Sequence, residues 1–353
     1  MEGEAARMRS DKSETVVRWT APEDRPGLRA VLGSVGWIEP PVQHRVWQEA
    51  DAEWQASRYL REIATEVEGV IAARVALEAY RQPFAELCGL SVRPDYRQRG
   101  LGRMLTRACE QEASRRSFPF LFLQTDLHNH AGHSLYSRMG FLPTARAGML
   151  RMVKFLDYPL FNDFQHAHPL SQYTCLPVPE RDRTWRLQWR DYVSDDCLSL
   201  DLVGGSSIFD SDGVGPALSR CSLREGQGAR GLTLELYAEE VRDIAPGYHV
   251  ELTVLVRNEG KRMESGRFQT ALPPGISLSG PATNLKQTFV WQVAPGEEIV
   301  QPFVVQVDPG FDTNALWHLN YRSLPVSVET YWEGHRALLS ASLPMAVPPP
   351  DEV

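Results

Sequence analysis

The chain has 353 residues, more than one ordinary hydrophobic core organises, which predicts two domains. With 42% hydrophobic and 23% charged residues it has the composition of a soluble globular protein, and no apolar run is long enough to span a bilayer. A formal charge of −8 argues against non-specific nucleic-acid binding, and five irregularly spaced cysteines predict reduced thiols in a cytoplasmic protein rather than a disulfide framework.

Residues 1–14 are charged and lack the apolar segment of a signal peptide, so they read as a disordered tail. A first strand is expected over 16–19 and a helix over 25–35, with Pro22 near its start. Pro40-Pro41 breaks the chain before a second helix over 42–55. Strands over 58–66 and 70–78, joined at Glu68-Gly69, read as a hairpin. Residues 84–92 are largely apolar, as a strand buried on both faces would be, and Pro94 ends it. Next comes Arg97-Gln98-Arg99-Gly100-Leu101-Gly102, opening a helix. Leu101, Met104, Leu105, Ala108 and Cys109 form its apolar stripe, while Arg103, Thr106, Arg107, Glu110 and Gln111 are expected to face water. A buried strand over 118–124 leads to a helical segment from Asn129 to Phe141, and strands at 142–143 and 148–155 follow.

A helix N-terminus exposes unpaired N–H groups and a partial positive charge, so it suits a phosphate. Glycine lets the backbone approach such a ligand, and Arg97, Arg99 and Arg103 add charge around it. The bland alternative is a tight strand-to-helix turn with a solvated basic face.

Arg97-x-x-Gly100-x-Gly102, after Val-Arg-Pro-Asp-Tyr, resembles the Gln/Arg-x-x-Gly-x-Gly/Ala signature of the GNAT N-acetyltransferase superfamily. The stretch Asn129-His130-Ala131-Gly132-His133-Ser134-Leu135-Tyr136-Ser137-Arg138-Met139-Gly140-Phe141 resembles that family's second motif, with Gly132 where alanine is usual. The resemblance covers roughly 16–156. It implies an α+β GNAT fold, a mixed sheet flanked by helices, in a domain over 15–156, and acetyl-CoA as co-substrate without a metal. It also implies that the amides between Arg99 and Met104, those of Gly100, Leu101, Gly102 and Arg103 included, hold the pyrophosphate, with Arg97 and Gln98 in the coenzyme site beside them. The pantetheine arm would run along Leu90, Ser91 and Val92, where a backbone amide would polarise the thioester carbonyl.

Tyr136 is the candidate general acid, because a phenol of pKa about 10 can return a proton to a thiolate; otherwise it is a core aromatic. Asn129 either contacts the coenzyme arm, as the resemblance implies, or caps the helix that follows. Glu86 is the candidate general base, since a carboxylate in an apolar strand is costly unless functional or paired; a surface ion pair and a water chain in its place are the alternatives. His128, His130, His133, His166 and His168 lack the convergent pattern and cysteine pair of a zinc site. Cys88 reads as a small core residue rather than a nucleophile.

Prolines at 159, 169, 177 and 179 suggest a linker over 157–183. Beyond it, strand candidates at 185–189, 197–203, 232–238, 249–256, 268–272, 289–293, 300–307, 326–332 and 337–343 predict an all-β sandwich over 184–347, its turns weakly resembling bacterial Ig-like modules, with a tail at 348–353. Trp185, Trp189, Trp291, Trp317 and Trp332 belong to its core or line a ligand face, a carbohydrate site included. Two readings follow: an N-acetyltransferase acting on a small-molecule or peptide amine, its sandwich serving binding or assembly (a homodimer or another partner), or a non-catalytic acyl-CoA sensor whose sandwich is the interaction module.

Overall fold

The structure is a computed structural model. It describes residues 15–36, 60–78, 83–147, 149–179, 181, 183–204, 217–238, 244–272, 275–279, 288–310 and 323–344. The tails expected at 1–14 and 348–353, the helix expected over 42–55 and Trp317 lie outside these residues. The chain divides into two compact units, Met1–Tyr80 with Phe84–Asp157, and Arg81–Pro83 with Tyr158–Val353.

In the first unit, β1 (Thr15–Trp19), β2 (Leu60–Val67), β3 (Val70–Glu78), β4 (Phe84–Val92), β5 (Phe120–Asp126), β6 (Leu142–Ala147) and β7 (Met149–Phe155) form one sheet in the order β1-β2-β3-β4-β5-β7-β6. Neighbours are antiparallel except β4 and β5, which run parallel. Glu68 and Gly69, at φ 52° and 80°, make the expected tight turn between β2 and β3.

Helix α1 (Arg25–Ser34) buries Leu28 and Val31 against Ala64 and Ile71 on one side of the sheet. Helices α2 (Leu101–Arg115) and α3 (His130–Arg138) cover the other, where Leu101, Leu105, Cys109 and Tyr136 pack against Ile63, Val75, Leu87 and Leu123. Alternation along each strand explains the division: Ile63 and Ala64, successive in β2, belong to different clusters. Thr106 does not face water as its heptad neighbours suggested. It is fully buried and its hydroxyl donates to the Gly102 carbonyl at 2.8 Å, which is how a hydroxyl enters a helix interface without an unpaired group.

The second unit is mostly β. Strands β8 (Gln172–Pro177), β9 (Thr184–Arg190), β10 (Cys197–Val203), β11 (Ala217–Glu225), β12 (Arg230–Ala238), β13 (His249–Asn258), β15 (Ile276–Ser279) and β17 (Glu298–Val307) form an eight-stranded sheet. Strands β14 (Glu264–Ala271), β16 (Thr288–Val293), β18 (Ser323–Trp332) and β19 (His335–Pro344) form a second sheet of four. β19 packs on β11 and β12, and the Leu218 amide donates to Ser340 Oγ at 2.8 Å, tying the sheets together in an arrangement consistent with a β-sandwich.

The stretch 157–183 is not a plain linker. It carries α4 (Pro159–Ala167), which packs on β19, and β8, which pairs along β9. Pro159 sits in the first turn of α4, where its missing N–H costs nothing, so it starts a helix rather than breaking one. β8, β11 and β15 are further strands that the candidate set lacked. Trp189, Trp291 and Trp332 are buried, as core residues of this unit.

Candidate active site

The site is built where β4 and β5 stop pairing. Their parallel ladder runs from Phe84/Phe120 to Leu87/Leu123 and ends, although β4 continues to Val92 and β5 to Asp126. Beyond that rung β4 stays paired with β3 on its other edge, through Ser91/Arg74 and Val92/Ala73, while β5 keeps its full pairing to β7. The cause lies in β4: the β3 register shifts between Arg74 and Ala76, and Gly89 has φ +61°, a backbone geometry that L side chains resist. A Cβ on Gly89 would also stand 3.3 Å from Arg74 Nη1. The edge of β4 that faced β5 is therefore open over Cys88 to Val92, where Leu90, Ser91 and Val92 are half-buried and Gly89 is exposed.

The opening leads to the glycine turn. Gly100 is the N-cap of α2 at φ 81°, ψ 2°, with Gln98 also left-handed at φ 62°. No side chain caps this helix, and its first backbone bond runs from the Met104 amide to the Gly100 carbonyl at 3.1 Å. The N–H groups of Leu101, Gly102 and Arg103 thus point out of the helix end, a ready cradle for an anion. Gly102 has a second, internal role. A Cβ there would meet Leu135 Cδ2 at 3.3 Å and Leu90 Cδ2 at 3.8 Å, so its bareness lets α2 pack against α3 and β4.

Two of the three arginines are engaged with the protein. Arg97 Nε donates to the Val92 carbonyl at 3.3 Å; Arg99 Nη2 donates to the Asp95 carbonyl at 3.2 Å and its guanidinium lies 4.9 Å from the Tyr96 ring centre. Arg103 is exposed at the first turn of α2.

Tyr136 is buried on α3 in the cluster that holds Leu87 and Leu123, edge-on to Phe141 at 5.7 Å. Burial pushes its phenol above the usual range, with the Cys109 and Cys88 thiols adding to the effect, so it stays protonated at neutral pH. Glu86 is buried on β4, opposite Glu78 of β3 and Phe122 of β5. By alternation its side chain leaves β4 on the face opposite Ala85 and Leu87, so Glu86 and Tyr136 lie on opposite faces of the sheet. Burial, with the Glu86 and Glu78 carboxylates behind it, raises the Cys88 thiol well above its ordinary range, which removes its nucleophilic form.

Asn129 caps α3: its Oδ1 accepts from the Gly132 amide at 3.0 Å and its Nδ2 donates to Thr125 Oγ1 at 2.9 Å. Gly132 follows from this, since a Cβ there would fall 2.5 Å from Asn129 Nδ2. His130 and His133 meet edge-on at 6.0 Å, and His133 Nε2 lies 2.9 Å from the Asp126 carbonyl. His168, far along the chain, sits between Asp191 and Asp196 at 3.0 Å and 3.4 Å.

Sequence reasoning missed Gly89 and Arg74. A lone glycine inside a strand pattern was the available sign of the bulge. Arg74 on β3 is buried and paired with the buried Glu62 of β2, a pairing that no local pattern announces.

Residues 28–141 match the profile of the Acetyltransferase (GNAT) family, and the first unit has the GNAT fold. Among solved structures, the PaiA N-acetyltransferase of Thermoplasma acidophilum in complex with coenzyme A is similar at 18% identity, over 40% of this chain and 98% of that one, with a TM-score of 0.34. The ribosomal-protein-alanine N-acetyltransferase of Brucella melitensis is similar at 20% identity, over 40% and 99%, with a TM-score of 0.33. An N-acetyltransferase of Staphylococcus aureus is similar at 16% identity, over 41% and 100%, with a TM-score of 0.35. No curated protein matches the chain. Among the described residues no helix is long and apolar enough to cross a membrane.

Proposed function

We propose that the protein is an N-acetyltransferase that moves an acetyl group from acetyl-CoA to an amine by direct attack. The observation that carries this reading is the open edge of β4 beyond the Leu87/Leu123 rung, running towards the uncapped start of α2. A pyrophosphate on the amides between Arg99 and Met104 would leave a pantetheine arm to pair with Leu90 to Val92, much as an added strand would. The amine nitrogen attacks the thioester carbonyl, the C–S bond breaks, and the leaving thiolate takes the Tyr136 proton. Glu86 takes the amine proton, directly or through water. An ammonium of pKa about 10 must lose that proton before it can attack, which is why a base is needed at neutral pH. The N–H groups along the open edge supply oxyanion stabilisation, and the enzyme's share of catalysis is mainly position. The β-rich second unit serves binding or assembly.

The test is product analysis by mass spectrometry after incubating the full chain with acetyl-CoA and a mixed library of amines and peptides. An acetylated amine that forms only with active protein supports the reading. Coenzyme binding without any acetylated product contradicts it.

A further inference from the structure

The second unit carries a groove of about 600 Å³ on the four-stranded sheet, lined from β14, β16, β18, β19 and the turn between the last two. Across it, four residues stand directly opposite one another on successive strands: Val290 opposite Arg267, Arg267 opposite Tyr331, Tyr331 opposite Arg336. The Tyr331 ring is bracketed by two guanidinium groups, Arg267 at 4.9 Å and Arg336 at 5.8 Å from its centre. Val290, at 84% exposure, extends the same floor as bare apolar surface.

The charges in and beside this groove are not evenly used. Glu329 accepts from Arg336 at 2.7 Å and from the Tyr331 hydroxyl, and Glu333 accepts from both Arg230 and Arg262. Arg267 has no carboxylate partner among the described residues. Its ring contact fixes the plane of the guanidinium and leaves the edge N–H donors unused.

We propose that this groove is a binding site for an oxyanion, a carboxylate or a phosphate ester, whose flat or aliphatic body lies across Tyr331 and Val290. Arg267 supplies the charge-matched fork, and the stacked ring holds that fork in place before the ligand arrives.

The test is calorimetry on the full chain with phenyl phosphate, benzoate and benzyl alcohol. Saturable binding of either anion, at least tenfold tighter than benzyl alcohol and at least tenfold weaker in Arg267→Gln, supports the site. The tighter anion tells phosphate from carboxylate. Arg267→Lys, which keeps the charge and loses the fork, should fall between the two, and far-UV circular dichroism checks that both variants fold. Absence of binding by both anions, equal binding of the neutral alcohol, or unchanged affinity in a folded Arg267→Gln overturns the proposal. A coenzyme site at α2 would survive Arg267→Gln untouched, so the two readings fail separately.

Discussion

Leu87 and Leu123 form the last rung of the parallel ladder between β4 and β5, and both strands continue past it unpaired to each other. The gap is held open by Gly89, whose left-handed backbone turns β4 away while its β3 pairing resumes at Ser91. Gly89→Val is therefore expected to lower stability by about 1–2 kcal/mol, the cost of a side chain in that geometry. It should also weaken acetyl-CoA binding. Urea unfolding and calorimetry on the same sample check both effects.

Tyr136→Phe should leave coenzyme affinity unchanged and lower turnover by about 10²-fold or more. Because burial raises the folded phenol above its unfolded value, activity should show no alkaline loss from Tyr136 below about pH 10. The sign for stability follows: the folded state holds the proton more tightly, so stability falls as pH rises above about 10. A pH–rate profile with pre-formed amine and a pH series of melting temperatures measure the two.

Gly132→Ala pits helix propensity against a clash. Alanine favours a helix by about 1 kcal/mol over glycine, yet its Cβ would displace the Asn129 cap. No net stabilisation is expected, and in the Asn129→Ala background, which itself costs about 1 kcal/mol, the same change should become stabilising. A double-mutant cycle by urea denaturation decides this.

Arg74→Met should cost about 3–5 kcal/mol, because it strands the buried Glu62 carboxylate, whereas Glu62→Leu/Arg74→Met should recover much of the loss. Burial holds the Glu62 carboxyl above its ordinary range, partly opposed by Arg74. A raised folded value means that its contribution is present below the unfolded value of about 4.3 and is lost as pH rises through the folded one. Removing Arg74 enlarges that loss, so the single variant should be penalised more at pH 8 than at pH 5 in urea midpoints.

These expectations differ in how far the sequence announced them. The apolar run of β4, the glycines at the start of α2 and the stripe on that helix follow from local periodicity and turn chemistry, and all are where the pattern implied. The separation of β4 from β5 was not legible, since strand pairing is a non-local property and only Gly89 hinted at it. Likewise the Glu62–Arg74 pair joins residues on two strands, and which charges meet across a sheet is not set by any local pattern. Asn129 was legible as a cap, but its reach to Thr125 and the reason for Gly132 depend on how β5 enters α3. In the second unit the proline-rich stretch misled, because Pro159 begins α4 rather than marking a linker.

The central claim is that the main-chain amides at the start of α2 hold an acyl-CoA beside the open edge of β4. Calorimetric titration of acetyl-CoA into the wild-type chain and into Gly100→Val tests it most directly, because Gly100 sets that turn at φ 81°. The account predicts saturable one-to-one binding to the wild type and affinity at least about tenfold weaker in the variant, the equivalent of about 1.4 kcal/mol. No binding heat in the wild type, or equal affinity in a folded Gly100→Val, would contradict it.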